Sequence, residues 1–162
     1  MPAKLNSMRV LEQAKIPYEI LEYPNSIRDA EEVAEALGIP YWMVYKTLVV
    51  QVEGQAKPML AVIASERHLD LKKLAVASGV KKVRMAAHKD AEALTGLKVG
   101  GISPLMLRDK NWTIYLDRHV ADLEHIAISA GQRGMQVRVP VVPLLNLLRA
   151  RLADITTDED SA

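Results

Sequence analysis

Apolar residues recur along the chain at two different spacings, which predicts both helices and strands. Helical spacing, as in Met8, Leu11 and Ala14, occurs in five segments. Short runs of β-branched or alternating apolar residues mark seven others. We predict helices at 6–15, 30–37, 71–78, 88–95 and 143–152, and strands at 18–23, 46–52, 59–64, 82–85, 113–117, 126–128 and 136–139.

The order of these elements predicts an α+β fold. Strands mostly adjoin strands, with helices inserted between groups, which favours a mixed, mostly antiparallel sheet flanked by helices. Gly54 is the expected turn of a hairpin between the second and third strands. Asp29 and Asp70 are expected N-caps of two helices that end at Gly38 and Gly79.

The composition is that of one globular domain. The 162 residues suffice for a sizeable core, and hydrophobic and charged residues make up 49% and 25% of them. No repeat or linker divides the sequence, so we expect a single domain over residues 1–155. Residues 156–162 are polar and acidic, and we expect them to form a disordered tail.

Several function classes are excluded or disfavoured. The absence of Cys excludes a disulfide scaffold, a thiolate nucleophile and cysteine metal sites. Neither a signal peptide nor an apolar stretch of membrane-spanning length is apparent, so we expect a cytoplasmic protein. A net charge of +1 argues against nucleic-acid binding by bulk charge. Aromatic residues are only 4% of the chain, which leaves few side chains on which nucleic-acid bases could stack.

Basic residues are nevertheless concentrated in one region. Lys72, Lys73, Lys81 and Lys82 lie close together in the sequence. They form either a solvated helix face and strand end or a surface that contacts nucleic-acid phosphates. Charge clustering alone favours the solvated face.

The turn around residues 98–104 is the strongest candidate for a binding site. Gly100 and Gly101 allow positive φ and bare the backbone, while Pro104 biases Ser103 to an extended conformation. Bare N–H groups in such a turn can hold a carbonyl oxygen, a phosphate or a ribose hydroxyl. The alternative is a tight connection between two elements.

Two further segments carry candidate chemistry. Lys46 stands at the start of an apolar strand, where an ammonium group on a cleft wall could bind phosphate or polarise a carbonyl. Judged on residue type alone, a solvent-facing lysine is the more frequent case. Residues 129–134 form a second glycine-bearing turn, and Ser129 there either lines a pocket or caps the turn.

Nucleophilic and metal-dependent catalysis lack sequence support. Ser103 has no nucleophile elbow and no motif that links it to a histidine, so we assign it a binding or structural role. The four histidines lack metal-binding spacing, and the acidic residues lack a metal-site pattern. We therefore predict no metal and no cofactor.

In this order and at these distances, the Lys46 strand, the Gly100–Pro104 turn and the 129–134 turn resemble the YbaK/ProX family of aminoacyl-tRNA editing domains. The resemblance extends from about Met8 to Ile155. It implies a strongly curved, almost barrel-like sheet, with a cleft between strands and helices. It also implies that Lys46 is the active-site lysine. The substrate-binding residues that it implies are Tyr23, Gly100, Gly101, Ile102, Ser103, Pro104 and Ser129.

The resemblance implies a function in translation fidelity. The chain resembles in particular the free-standing bacterial deacylases that clear cysteine from proline tRNA, with prolyl-tRNA synthetase as a possible partner. In that family the substrate itself assists cleavage of the aminoacyl ester, by hydrolysis or by release of a cyclic thiolactone. Lys72, Lys73, Lys81 and Lys82 would then contact tRNA.

Three alternatives stay open at this level. Relatives tend to carry an acidic residue at the position of Gln136, so another small amino acid, such as alanine or serine, could be the one removed. A noncatalytic module that binds aminoacyl-tRNA or a synthetase is the second alternative, and loss of Lys46 or the glycine turn would mark it. A small-molecule binding protein is the third, and its ligand affinity would not depend on salt.

Overall fold

The computed structural model describes residues 4–158, which form five α-helices and eight strands. The helices are α1 (Asn6–Gln13), α2 (Ala30–Leu37), α3 (Leu71–Ser78), α4 (His88–Thr95) and α5 (Val141–Leu148). The strands are β1 (Glu19–Glu22), β2 (Tyr45–Val52), β3 (Met59–Ala64), β4 (Val83–Met85), β5 (Ile114–Asp117), β6 (His125–Ser129), β7 (Met135–Pro140) and β8 (Arg151–Ala153). Three 3-10 helices complete the order, at Tyr41–Met43, Pro104–Lys110 and Arg118–Asp122.

The predicted helix ends are confirmed at α2 and α3. The Asp29 carboxylate accepts a hydrogen bond from the Glu32 N–H, and α2 ends at Gly38 with a φ of 69°. The Asp70 carboxylate caps α3 in the same way, and Gly79 ends that helix with a φ of 73°. Such caps satisfy backbone groups that have no partner inside the helix.

The strands form two sheets with mixed pairing. The smaller sheet has the order β1-β7-β6 and is antiparallel throughout. The larger has the order β4-β2-β3-β5-β8, in which β5 pairs in parallel with both β3 and β8. The predicted hairpin of β2 and β3 is confirmed, and so is a mixed, mostly antiparallel α+β fold.

The prediction of one strongly curved, barrel-like sheet is not supported. Neither sheet closes on itself, because the edges of each stay unpaired over most of their length. The two sheets meet at an isolated bridge between Val44, just before β2, and Ala127 in β6. A single bridge orients the sheets relative to each other without merging them into one.

Alternation along β2 divides the core. Tyr45 and Val49 face the larger hydrophobic cluster, which also contains residues of β6 and β7. Val50 and Val52 face a second cluster, where Leu74 of α3 packs against the sheet. Because neighbouring residues of a strand point to opposite faces, one strand supplies both clusters.

The C-terminal region differs from the prediction. The last helix begins at Val141 and ends at Leu148, so the predicted helix at 143–152 is wrong in its final turn. Arg149 adopts a positive φ of 52° and redirects the chain into β8, which pairs with β5. Thr156 is buried, and residues 159–162 of the predicted tail lie outside the described residues, so a disordered tail stays a prediction.

Candidate functional site

A cleft of about 710 Å³ lies beside the start of β2. Its other walls come from the loop before α2, from α4 with the turn that follows it, and from the ends of β6 and β7. Among the predicted site residues, the structure places Lys46, Gly100, Ile102 and Ser129 in its lining, together with Gln136. These residues come from three distant parts of the sequence.

The cleft exists because β2 has an open edge at its start. The neighbouring strand β4 pairs only with Val50–Val52 of β2. The preceding residues, Tyr45 to Leu48, have no β4 partner on that side, and all of them line the cleft. Strand edges carry backbone donors and acceptors, so this edge can bind an extended ligand.

Lys46 is the cation held in this wall. It is half-buried, and its Nζ donates a hydrogen bond to the carbonyl oxygen of Ser65 at 3.1 Å. Burial lowers the pKa of this ammonium group, and the carboxylates of Asp29 and Glu31 partly oppose that shift. A partly desolvated ammonium group with remaining donor capacity can bind an anionic or developing negative charge.

The glycine turn has the conformation that a tight turn requires. The Gly101 N–H donates to the Lys98 carbonyl at 2.7 Å, and Gly100, the third residue of the turn, has a φ of 92°. A positive φ at this position is typical of a type II turn and favours glycine. Glu92 of α4 accepts a hydrogen bond from the Val99 N–H at 2.9 Å, which anchors the turn to the helix.

Gly101 is close to protein rather than to the cleft. A Cβ on Gly101 would lie 2.9 Å from the backbone of Gln132. We expected that position to adjoin a ligand, and the structure places the second glycine turn there instead. Gly101 is therefore the contact point at which two loops meet, since a side chain would force them apart.

Ser103 and Pro104 lie behind the turn and are buried. The Ser103 hydroxyl oxygen accepts a hydrogen bond from the Leu105 N–H at 3.2 Å and so caps the 3-10 helix that Pro104 begins. Neither residue lines the cleft. The structural reading of Ser103 fits these contacts, because a capping hydroxyl satisfies the backbone locally.

The second turn contributes a hydroxyl and a cation. The Ser129 oxygen accepts a hydrogen bond from the Gly131 N–H at 3.1 Å, which leaves its own proton available to a ligand. Arg133 donates through Nε to the Val99 carbonyl at 2.7 Å and joins the two turns. Arg133 also lines the cleft, with its terminal nitrogens available for a second partner.

Three buried polar atoms lack a hydrogen-bond partner within residues 4–158: Tyr23 Oη, Thr47 Oγ1 and Gln136 Oε1. Thr47 and Gln136 line the cleft, whereas Tyr23 packs with Val33 and Ala127 on the same side of the smaller sheet. Buried polar groups are usually satisfied in folded proteins. The two in the lining are therefore candidate partners for a polar ligand.

Sequence reasoning missed several lining residues. Arg28, Lys98 and Arg133 line the same cleft as Lys46, together with the carboxylates of Asp29 and Glu92, and Thr47 adds a hydroxyl. Arg28 lies in a loop with no motif, and only the fold brings it against Gly100, whose Cβ would lie 3.2 Å from the Arg28 Cα. Thr47 directly follows Lys46, and this adjacency is the one sequence signal that could have identified Thr47 as a lining residue.

The predicted lysine cluster lies elsewhere. Lys72, Lys81 and Lys82 are exposed, and none of them lines the cleft. Lys73 is engaged by Asp154 at 3.3 Å and by Asp158 at 2.9 Å. The hydrogen bond to the Asp158 carboxylate raises the pKa of Lys73, and the Asp154 carboxylate adds a smaller effect in the same direction.

The cleft is better suited to binding and charge stabilisation than to nucleophilic attack by the protein. His88 is the histidine in its lining, and it is exposed on α4. No group of three metal-ligating side chains occurs in the portion of the chain from residue 4 to residue 158.

Over the same portion, no helix has the length and apolar character needed to cross a membrane.

Comparisons with known proteins give two relatives by sequence. The sequence is 44% identical over 158 residues to EbsC of Enterococcus faecalis, provisionally named Cys-tRNA(Pro)/Cys-tRNA(Cys) deacylase, and the match covers 96% of this chain and 95% of EbsC. It is 28% identical over 118 residues to proline–tRNA ligase of Staphylococcus aureus, covering 73% of this chain but 20% of the ligase.

A solved structure and a family profile extend the likeness. A crystal structure described provisionally as a trans-editing enzyme for prolyl-tRNA synthetase superposes with a TM-score of 0.80 at 26% identity, over 97% of this chain and 100% of the other. The profile of the aminoacyl-tRNA editing domain matches residues 24–147, which include β2, the glycine turn and the second turn. The chain therefore belongs to the aminoacyl-tRNA editing domain family, also known as YbaK/ProX.

Proposed function

We propose that this protein is a trans-editing deacylase that removes a wrongly attached amino acid from tRNA. The observation that carries the proposal is the placement of Lys46 and the Gly100 turn in one cleft, in a chain of this family. The bond broken is the ester between the amino-acid carboxyl group and the terminal ribose. Cysteine on proline tRNA is the proposed substrate, as the name of EbsC suggests.

In this proposal the cleft positions the ester. The terminal ribose and the ester carbonyl lie against the backbone of Gly100 and Ile102, and Ser129 donates its hydroxyl proton to the substrate. Gly101, Ser103 and Pro104 fix the shape of this wall from behind. Tyr23 would support the pocket from the smaller sheet. Positioning of this kind can lower a reaction barrier by about 7 kcal/mol or more.

Lys46 supplies charge to the reaction. Its ammonium group is proposed to hold the phosphate of the tRNA terminus or to stabilise the oxyanion that forms when the ester carbonyl is attacked. Partial burial strengthens either interaction, because electrostatic effects grow as the local dielectric falls. The Ser65 carbonyl keeps Lys46 directed along the cleft wall before substrate binds.

The attacking group is proposed to belong to the substrate or to water. If cysteine is bound, its thiolate attacks its own ester carbonyl, the ribose oxygen leaves and takes up a proton, and a cyclic thiolactone is released. If water attacks, the same bond breaks by hydrolysis and free amino acid is released. Both routes fit a cleft in which no hydrogen bond joins Ser129 to His88, since each needs positioning and oxyanion stabilisation from the protein.

Gln136 bears on which amino acid is removed. Its buried Oε1 atom is an acceptor without a partner within residues 4–158, and the Gln side chain carries no charge. A substrate donor such as a thiol, hydroxyl or ammonium group would pair with it. Serine or alanine is therefore the alternative substrate, and serine offers the better donor.

The proposed partners follow from the reaction. Aminoacyl-tRNA is the substrate, and Lys72, Lys73, Lys81 and Lys82 are proposed to contact its phosphates. Prolyl-tRNA synthetase is a proposed partner, because the match to proline–tRNA ligase covers 73% of this chain within a much longer enzyme. A cytoplasmic location is proposed with the same reaction.

Incubation with a panel of charged tRNAs tests the proposal. Purified protein is mixed with proline tRNA charged with cysteine, alanine, serine or proline, and loss of the charged tRNA and release of amino acid are followed. We expect fast loss of Cys-tRNA(Pro) and no loss of Pro-tRNA(Pro). Thiolactone and free cysteine are separated by chromatography. Equal stability of all four substrates with and without protein would refute a deacylase and favour a binding module.

A further inference from the structure

A second groove, of about 420 Å³, lies at the far side of the larger sheet from β4. It is bounded by the end of α5, the starts of β5 and β8, and the end of the 3-10 helix at Pro104–Lys110. Arg108, Arg149 and Arg151 line it together with Trp112. No residue of this groove belongs to the lining of the cleft.

The charge of this groove is uncompensated. The three arginines are exposed, and no Asp or Glu is among the residues that line the groove. None of the three forms an ion pair within residues 4–158. The three cations repel one another without a carboxylate in the groove to offset the repulsion.

The groove also contains an aromatic side chain. Trp112 is half-buried, and the Nζ of Lys110 lies 5.5 Å from the centre of its ring. Guanidinium groups bind phosphate through two parallel hydrogen bonds, which makes arginine better suited to phosphate recognition than lysine. An indole with arginines beside it is suited to a nucleic-acid backbone and its bases.

The strand register gives the distance between the groove and the cleft. Leu48, on β2, lines the cleft and pairs with Ala61 on β3. Ala61 pairs with Tyr115 on β5, and Tyr115 pairs with Arg151 on β8. Three strand spacings separate Leu48 from Arg151, or about 14 Å. The few unpaired nucleotides at the 3′ end of tRNA can extend over a distance of this size.

We infer that this groove binds the phosphate backbone of the tRNA acceptor stem while the 3′ end occupies the cleft. This inference rests on the proposed function, because it takes tRNA as the substrate. The phosphates held are those where the stem begins, beyond the unpaired 3′ end. Arg108 and Arg151 pair with them as charge-assisted donors, and Arg149 adds a third contact.

The test compares two substrates with one amino acid. One is full-length charged tRNA, and the other is a charged CCA trinucleotide, which ends before the phosphates assigned to the groove. In the variant Arg108→Gln/Arg151→Gln, we expect affinity for the full-length tRNA to fall roughly thirtyfold at 0.15 M salt, and the slope of log affinity against log salt to fall by about 1.8 units. Cleavage of the trinucleotide should keep its wild-type rate.

Matched variants make the result specific. Lys15→Gln/Lys57→Gln removes the same charge from exposed positions outside both pockets and should change the slope by less than half as much. Arg149→Gln/Arg151→Gln repeats the test if the first variant melts at a lower temperature. A wild-type protein that cleaves neither substrate would refute the proposed function itself, whatever the groove does.

Any of three results overturns the inference. An unchanged salt slope in both arginine variants would show that the groove does not contact tRNA. An equal loss of activity on full-length tRNA and trinucleotide would place the effect in the cleft instead. Unchanged tRNA binding with lost binding of prolyl-tRNA synthetase would make the groove a protein-binding surface and would also overturn it.

Discussion

Lys46 and Lys73 are both lysines that the sequence marks as ligand contacts, and their surroundings are opposite. The Lys46 ammonium group is partly desolvated and donates to one carbonyl, that of Ser65. The Lys73 ammonium group lies at the surface between two carboxylates and also donates to the Thr156 carbonyl at 2.8 Å. The charge of Lys46 is therefore available to a ligand, whereas the charge of Lys73 is largely neutralised by the protein.

The comparison shows that a lysine in a sequence motif indicates a ligand contact only when its hydrogen-bond and ion-pair partners in the fold are also known. Two exposed carboxylates cost little to hold near Lys73, and such surface pairs add little stability. Partial burial of Lys46 is unfavourable for the folded state unless another interaction offsets it. An unfavourable charge at a cleft wall is typical of a functional residue.

The largest expected effect is on catalysis by Lys46→Ala. Loss of one charge-stabilising donor should lower the single-turnover deacylation rate by about two to three orders of magnitude. The melting temperature should stay near that of the wild type, because this side chain adds little to the core. Lys73→Ala is the matched control and should retain the wild-type rate when tRNA is saturating, because Lys73 is assigned only to tRNA binding. A wild-type rate in Lys46→Ala would remove the distinction between the two lysines.

Gly101→Ala tests whether the shape of the cleft matters as well as its charge. The new methyl group would meet the Gln132 backbone at 2.9 Å, so we expect a loss of about 1–3 kcal/mol in the free energy of unfolding. Displacement of the turn by about 1 Å should also lower activity about a hundredfold.

Gly54→Ala is the control for Gly101→Ala. Gly54 has a φ of 79° and no atom within 4 Å of an added Cβ, so this change adds strain in an open hairpin turn. It should lower stability and leave deacylation unchanged. Equal activity in both variants, measured at a temperature where both are folded, would show that the two turns need not meet for the cleft to work.

The sequence predicted much of the fold because local signals agreed with it. Helices α2 and α3 carry a carboxylate at the start and a glycine at the end, and both ends are where these residues predict them. Strand β8 escaped prediction because Leu152 continues the leucine spacing of α5. No glycine marks the turn at Arg149, which takes a positive φ without one.

The pairing of the sheets is less predictable than the strands themselves. The parallel pairs β3–β5 and β5–β8 join segments separated by dozens of residues. Hairpin signals are local, whereas such long-range pairs depend on which faces are buried in the folded chain. The same reason explains why Arg28 and Arg133 were missed, since only the packing of loops brings them to the cleft.

Salt dependence separates Lys73 from the exposed lysines near it. Lys81→Gln/Lys82→Gln should lower the slope of log tRNA affinity against log salt by about 1.8 units, because each lost phosphate contact lowers it by about 0.9. Lys73→Gln should lower it less, since two carboxylates already neutralise that charge. A larger slope change for Lys73→Gln than for the pair would contradict this order.

The two lysines should also respond oppositely to alkaline pH. The pKa of Lys46 is lowered in the folded state. As pH rises towards about 10.4, Lys46 therefore loses its proton earlier in the folded state than in the unfolded state. The free energy of unfolding of the wild type should then increase relative to that of Lys46→Met. The pKa of Lys73 is raised, so its stabilising contribution is full below that pH and is lost as pH rises through the folded value. Thermal melting from pH 8 to 11, taken as differences from each Met variant, measures both trends, and slopes of equal sign would contradict them.

The central claim is that the terminal ribose and the ester lie between Lys46 and the glycine turn. A crystal structure with a nonhydrolysable analogue, an adenosine that carries cysteine through an amide bond, tests it most directly. We expect the ribose against Gly100, and the Lys46 Nζ within hydrogen-bond distance of the amide carbonyl or of a phosphate added at the 5′ position. An analogue bound outside this cleft, with Lys46 still on the Ser65 carbonyl alone, would contradict the account.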